Sequence, residues 1–368
     1  MKKGIIFYTY LPPWRIDIFN EMGKLFDLQI VFLNTSAEGF KYNRNRLSNL
    51  LNIKHHFWHR GFKLQGKVFR TGVYKFLSKE KPEVVFSHEY SPTSVLLAIL
   101  LKFKFLNYQY VITTSDNLSI AAEVRGLKKI ARKFVLNNAD GLIVYSEPVK
   151  QFYKNHFRNI NIEVCPNIQN PKTLLSYKPL FEKLCIQHIE NYNLKGSKVI
   201  LYAGRLVDVK GLDLLIRAFS KSKNKGYTLV LVGEGNEKGQ LIRLVEELAL
   251  KDRVCMPGFF DGAELYAWYH LASFFVLPSR FEPFGAVVNE SLVLGCPVMA
   301  SKYIGALEFI VEGINGHIFD PLDEPDFINI LNHCIMQYSV LDEKRSDLMQ
   351  LSFVQYINSF KTVLNDEN

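Results

Sequence analysis

Two carboxylates, Glu282 and Glu290, bracket the stretch of this chain best suited to hold a phosphate, within LPSRFEPFGAVVNESLVLGCPV (277–298). The apolar run Phe274 to Pro278 reads as a buried strand ending at a proline, and Ser279 to Pro283 as a loop. A helix is predicted to open near Phe284, with Val287, Val288, Leu292 and Val293 on its apolar face. The first-turn N–H groups of Phe284, Gly285, Ala286 and Val287 would then have no carbonyl partner in their own helix. With the helix dipole behind them they make a seat for an anion. Gly285 lets a bulky phosphate approach the backbone. From 284 to 290 such a helix rises roughly 9 Å, at ~1.5 Å per residue. That span suits a ligand with a diphosphate in its middle and hydroxyl-rich groups at either end.

A second set lies in AGRLVDVKGLDLLIRAF (203–219), where a strand ends at Gly204 and a loop carrying Arg205 and Lys210 leads into a helix. A departing nucleoside diphosphate gains negative charge, which cations and N–H groups can stabilise without a metal. No D-x-D occurs in the sequence, so the usual carboxylate pair for a diphosphate-bound metal is missing, and no metal ligands are assigned. Taken alone, either set reads equally well as a loop with two solvated charges; together they point to one anionic ligand. VGEGNEKG (232–239) carries G-x-G-x-x-x-G between a strand and a helix and raises a dinucleotide site. Its third glycine comes one residue late, and no strand-end acid follows at the required distance, so the dinucleotide reading loses.

E-x7-E with PFG inside, PSR before it and GCPV after it resembles the donor-site pattern of family-4 glycosyltransferases. AGRL with its following lysine, VGEG, GALEFI and NGHIFDP (315–321) resemble other motifs of that family, and together they span residues 199–321. The N-terminal half matches only in outline: TYLPPWRIDIFNEM is similar to the family's first loop and helix, with Pro12 and Pro13 where many members carry glycines. The resemblance implies a GT-B fold, an α/β architecture of two Rossmann-like doubly wound domains facing across a cleft. It implies a retaining, metal-independent transfer of a sugar from a nucleoside-diphosphate sugar, the co-substrate, to a hydroxyl, with no other cofactor. By the same resemblance Arg205 and Lys210 grip the diphosphate, joined by the N–H groups of Phe284, Gly285, Ala286 and Val287. Gly258 and Phe259 line the donor pocket, Glu290 accepts from the ribose and Glu282 holds hydroxyls of the transferred sugar. His88 would touch that sugar from the first domain. The implied setting is assembly of a bacterial surface polysaccharide, lipopolysaccharide or glycolipid.

The elements that must position these residues follow from alternation of strands and helices, which implies parallel sheets with right-handed crossovers. Strands are predicted at Gly4 to Thr9, Leu28 to Leu33, Val84 to Ser87, Tyr108 to Thr113 and Gly141 to Tyr145, with helices at Asp17 to Phe26, Lys67 to Lys79, Pro92 to Lys102, Leu127 to Asn137 and Pro148 to Asn155. Ligands of such sheets bind at the carboxyl ends of the strands, here at Tyr10 to Ile16, His88 to Ser91 and Ser115 to Ser119. CPNIQNP (165–171) reads as the start of a linker, giving an acceptor-side domain over 1–170 and a donor domain over 171–353. The amphipathic tail, with Phe353, Ile357, Phe360 and Val363 at helical spacing, is expected to pack back on the first domain over 354–368.

The 368 residues suffice for two domains, and 48% hydrophobic with 22% charged residues is a globular composition. The apolar run SVLLAILL (94–101) is far short of the ~20 residues of a membrane span. Lys2 and Lys3 before IIFYTYL resemble a signal peptide only superficially, and a first strand is the expectation. Five scattered cysteines without C-x-x-C suit a reduced, cytoplasmic protein. Residues 1–195 hold 29 basic and 14 acidic residues, the remainder 16 and 22. The basic half mixes its charges with Phe40, Tyr42, Phe57, Trp58, Phe62 and Phe69, and KHHFWHR (54–60) reads as a solvated or membrane-facing loop. The expected partners are therefore the nucleotide sugar and a lipid-linked or saccharide acceptor, with peripheral contact to an anionic membrane surface and no nucleic acid. A sugar-nucleotide epimerase of the same fold, or a basic nucleic-acid-binding protein, are the alternatives.

Overall fold

The computed structural model describes residues 1–35, 44–64, 66–339, 347–350 and 352–365. The chain forms two compact units, Met1–Gln169 with Ser352–Asn368, and Asn170–Leu351. In the first, β1 (Lys3–Tyr8), β2 (Asp27–Phe32), β3 (Lys54–Phe57), β6 (Val84–His88), β7 (Gln109–Thr113), β8 (Gly141–Val144) and β9 (Asn161–Val164) build one sheet. Its order is β3-β2-β1-β6-β7-β8-β9, and every pairing is parallel. β4 (Gly61–Leu64) and β5 (Lys67–Arg70) form a separate antiparallel hairpin. The strand interiors are continuous apolar runs, as a parallel sheet covered on both faces requires: Val84, Val85, Val111, Ile112, Leu142 and Ile143 have no exposed surface.

The helices of this unit that matter below are α1 (Ile16–Leu25), α2 (Pro92–Lys102), α3 (Leu118–Glu123), α4 (Gly126–Leu136) and α5 (Glu147–His156). In the second unit β10 (Lys198–Ala203), β11 (Tyr227–Val232), β12 (Val254–Gly258), β13 (Ala272–Leu277), β14 (Val298–Ser301) and β15 (Gly316–Phe319) pair in the order β12-β11-β10-β13-β14-β15, again all parallel. Its site-bearing helices are α6 (Leu212–Lys221) and α7 (Ala286–Val293). Both sheets are doubly wound. The strand order reverses between β1 and β6 in one unit and between β10 and β13 in the other, and at such reversals the crossover loops part and leave room for a ligand.

The last helix, α8 (Phe353–Thr362), opens with a capping box in which Ser352 and Gln355 satisfy each other's backbone N–H. It buries Phe353, Tyr356, Ile357 and Phe360 on the first unit, packing on α1 and β9. Ser359 Oγ donates to the Val164 carbonyl at 2.7 Å. Gly141 leaves room for this return, because a Cβ there would stand 2.6 Å from Val363 Cγ2.

Two readings of the segment before residue 80 need correction. KHHFWHR is loop only over its last three residues: Lys54 to Phe57 pairs with β2 as the edge strand β3. Its polar, histidine-rich sequence hid a half-buried strand whose His55 bonds to the Ile53 carbonyl and whose His56 bonds to Gln29. The helix predicted from Lys67 begins only at Val73, because Lys67–Arg70 is the second arm of the hairpin. Phe57 stacks on Phe32 and Trp58 packs edge-on against Phe76, so these two are core-linked aromatics. Phe40 and Tyr42 lie outside the described residues.

Candidate active site

In the second unit the two motif loops emerge side by side at the β10/β13 reversal. The Gly204–Gly211 loop and the Pro278–Gly285 loop are held together by backbone hydrogen bonds and by ion pairs of Arg280 and Lys210. Arg280 N–H donates to the Val209 carbonyl at 2.9 Å, and Arg280 Nη1 to the Asp208 carbonyl at 2.8 Å. The Arg280 guanidinium then grips Asp213 at both oxygens, 2.9 and 2.7 Å, with the planar fork geometry that favours arginine over lysine. Gly211 sits at φ 65, and a Cβ there would overlap the Pro278 carbonyl oxygen. The result of this close approach is that Lys210 Nζ reaches Glu282 Oε2 and pairs with it, both side chains being largely buried.

Glu282 is fixed through its backbone as well. Its N–H donates to the Tyr303 carbonyl and its carbonyl accepts from Gly305, each at 3.1 Å. Arg205 is exposed, and its carbonyl accepts from the Tyr202 hydroxyl at 2.8 Å. Burial pushes the Tyr202 hydroxyl far up, with the Glu282 charge adding to it, so the phenol stays a donor. The glycines of VGEG have a packing role: a Cβ on Gly233 would overlap the Gly204 carbonyl, and one on Gly235 the Leu206 carbonyl. Gly258 ends β12, accepts from Gly233 N–H at 2.8 Å, and precedes the exposed Phe259.

The helix carrying Glu290 begins later than its sequence suggests. Phe284 is buried edge-on against Phe309, Gly285 caps the helix in the left-handed region at φ 98, and α7 starts at Ala286. The Val288 N–H already bonds to the Gly285 carbonyl at 3.0 Å. The helix-start N–H groups are therefore those of Ala286 and Val287, and Phe284 and Gly285 belong to the approach. Glu290, one turn on, accepts from the buried Tyr269 hydroxyl at 3.3 Å. Burial raises that phenol strongly, and the Glu290 charge raises it further, so it remains protonated.

In the first unit His88 ends β6 at the β1/β6 reversal. Its ring stacks on Tyr8 with centroids 4.1 Å apart and planes 9° from parallel. Nδ1 lies 2.9 Å from Thr113 Oγ1, and that hydroxyl donates to the Ser87 carbonyl. On the other side of the ring Nε2 lies 3.6 Å from the Glu89 carboxylate. Burial, with the Arg15 charge adding to it, pushes His88 down to about 3. Proton NMR of the His88 ring should accordingly show a neutral imidazole throughout pH 5–8; a midpoint above 6 would contradict this environment.

Sequence reasoning placed the loops His88 to Ser91 and Ser115 to Ser119 at these strand ends but missed the bonds that join them. Glu89 adopts φ 58, a costly backbone state for a residue with a side chain. Its carboxylate accepts from Ser115 N–H at 2.8 Å, Ser115 Oγ at 2.6 Å and Thr114 Oγ1 at 3.2 Å, which holds the turn in place. Asp116 pairs with Arg132 at 3.0 Å and accepts from Tyr153. The Arg280–Asp213 clamp was also missed, since a partner 67 positions away leaves no local pattern. Burial pushes the Asp213 carboxyl up, but Arg280's hydrogen bonds and charge outweigh it and the net shift is downward. That depressed carboxyl contributes stability above the ordinary carboxylate range, and the contribution is lost as pH falls through its folded value. Asp213→Asn should therefore lower the melting temperature by a few degrees at neutral pH, with the gap closing on acidification. By letting Lys210 drift it should also slow turnover about tenfold. A gap that widens in acid would refute the assigned sign.

Among the described residues no group of three or more His, Cys, Asp or Glu side chains is arranged to hold a metal ion. All five cysteines are free. No helix among the described residues is long and apolar enough to cross a membrane.

The architecture is that of the GT-B fold. Anabaena HepE, solved with UDP and glucose, superposes with a TM-score of 0.74 over 99% of this chain and 100% of its own, at 19% identity. The lipopolysaccharide outer core galactosyltransferase WaaB, in its apo form, superposes at 0.71 over 99% and 100%, with 16% identity. Residues 186–348 match the family described as Glycosyl transferases group 1. An uncharacterized glycosyltransferase of Methanocaldococcus jannaschii is 38% identical over 121 residues, about a third of either protein (33% of this chain, 31% of the relative). A second from the same organism is 23% identical across 84% of this chain and 81% of its own length. The lipopolysaccharide 1,2-N-acetylglucosaminetransferase of Salmonella typhimurium is 29% identical over about half of each chain (54% and 54%). These likenesses show the GT-B fold and, over residues 186–348, a match to the group 1 glycosyl transferases.

Proposed function

We propose that the protein transfers a sugar from a nucleoside-diphosphate sugar to a hydroxyl acceptor, with retention of anomeric configuration and without a metal. The observation that carries this reading is the convergence of Arg205, Lys210, Glu282 and the α7 N-terminus at the β10/β13 reversal. In this reading Lys210, Arg205 and the Ala286 and Val287 N–H groups take up the charge that grows on the departing diphosphate. Gly258 and Phe259 border the nucleoside, and Glu290 binds the ribose hydroxyls. Glu282 orients hydroxyls of the transferred sugar; its pairing with Lys210 suits it to that task better than to attack on the anomeric carbon. His88 offers the sugar an uncharged imidazole.

With no protein nucleophile in the step, the acceptor oxygen bonds to the anomeric carbon on the face the phosphate leaves. The carbon–phosphate-oxygen bond breaks, and the hydroxyl proton passes to the leaving diphosphate. The acceptor is proposed to be a lipid-linked or membrane-displayed saccharide, and the protein to work on the cytoplasmic side of the membrane in surface-glycan assembly.

Thermal-shift screening against a panel of nucleotide sugars tests the donor, followed by transfer assays with and without EDTA. Stabilisation by one nucleotide series, with transfer unaffected by EDTA, is the expected outcome. Loss of activity in EDTA that Mg²⁺ or Mn²⁺ restores would overturn the metal-free step. Release of an epimerised nucleotide sugar without acceptor would overturn the transferase assignment.

A further inference from the structure

We infer that the face formed by the end of α2, by α3 and by α4 is a docking surface for an anionic lipid bilayer. It would give the membrane-displayed acceptor proposed above a place of approach, and it rests on that reading only for its purpose. Four large apolar side chains stand out on it: Leu127 is 77% exposed, Ile130 66%, Phe103 62% and Phe105 60%. Leu118 and Ile120 on α3 are exposed as well. Packing of α2 on α4, with Lys102 Nζ 5.1 Å from the Phe134 ring centre, joins the two patches into one surface.

The same stretch, residues 102–133, carries Lys102, Lys104, Arg125, Lys128, Lys129, Arg132 and Lys133 against only Asp116 and Glu123. Asp116 is buried in its pair with Arg132, so the exposed charge is almost wholly positive. Exposed apolar side chains interleaved with lysines are the pattern of an interfacial helix, whose apolar groups enter the headgroup layer while its cations meet lipid phosphates. A second copy of this chain is a poor occupant, because two such faces would oppose like charges. A nucleic acid would leave Leu127 and Ile130 without apolar company.

Beside the face, α4 and α5 enclose a groove of about 580 Å³. Lys129, Arg132, Lys133, His156 and Arg158 contribute to its lining, and no acidic residue does. Arg132 is buried there with its charge met by Asp116 and Nη1 donating to the Ala121 carbonyl, while Nε has no hydrogen-bond partner. Lys129, Lys133, His156 and Arg158 therefore supply the open cationic lining. This groove suits a phosphate headgroup next to the inserted side chains.

The test is sedimentation of the full chain with vesicles of equal parts phosphatidylglycerol and phosphatidylcholine, against phosphatidylcholine alone, at low and high salt. Binding should favour the anionic vesicles and weaken with salt. Lys128→Gln/Lys129→Gln should lose roughly thirtyfold in vesicle affinity, and Leu127→Ser/Ile130→Ser tenfold or more. The hairpin variant Lys63→Gln/Lys67→Gln should bind much as the parent does. Equal binding to both vesicle types would overturn the proposal, as would losses confined to the hairpin variant. A concentration-dependent dimer abolished by Leu127→Ser would also overturn it in favour of self-association. All variants should keep the parent's thermal shift with UDP. A parent chain that binds vesicles but gives no shift with any nucleotide would count against the donor assignment and leave the docking surface standing.

Discussion

Lys210→Ala is expected to lower turnover by roughly 10²–10³-fold while the protein stays folded, the cost of removing one preorganised donor from a developing oxyanion. The residue earns this weight from its position. Gly211 brings its loop against Pro278, the Arg280–Asp213 clamp holds the two loops together, and Lys210 is delivered to Glu282 at the sheet reversal. Arg205→Ala should lose activity in the same direction. Near-normal kcat in a folded Lys210→Ala protein would remove this side chain from the chemistry.

Glu282→Gln and Glu290→Gln should separate catalysis from nucleotide binding. Glu282 stands before the helix beside Lys210, whereas Glu290 stands a turn inside it on the Tyr269 hydroxyl. Glu282→Gln should cut kcat about a hundredfold, with little change in affinity for the bare nucleoside diphosphate, because it is assigned to the transferred sugar. Glu290→Gln should instead weaken that affinity about tenfold, as loss of a charged hydrogen bond to a hydroxyl does. Isothermal titration with UDP reads both. If Glu282→Gln abolishes nucleotide binding and Glu290→Gln leaves it intact, the two roles are exchanged.

The two motif loops at the β10/β13 reversal were legible as loops because their pattern is local. Strand, short loop and helix follow one another within twenty or so residues, and the charged and glycine positions fall inside that window. The start of α7 was misplaced by two residues because a buried Phe284 and a left-handed Gly285 cap look, in sequence, like a first helical turn. What tertiary structure alone decides was not legible. Nothing near Arg280 in the sequence points to Asp213, and nothing near Glu89 points to Ser115 and Thr114, which hold it at φ 58. The edge strand β3 escaped notice because an edge has one side free of neighbours and tolerates the lysine and histidines that suggested a loop. The aromatics near it divide: Trp58 packs edge-on against Phe76, whereas Phe62 on the hairpin stays exposed and stacks on Phe69.

Amide hydrogen exchange with and without UDP tests most directly the claim that the β10/β13 reversal seats the diphosphate. Protection on nucleotide addition should concentrate in residues 204–211 and in the Glu282–Glu290 segment, and should disappear in Lys210→Ala/Glu290→Gln. UDP-dependent protection centred instead on residues 8–16 and 88–91 at the β1/β6 reversal, with the second unit unchanged, would contradict it.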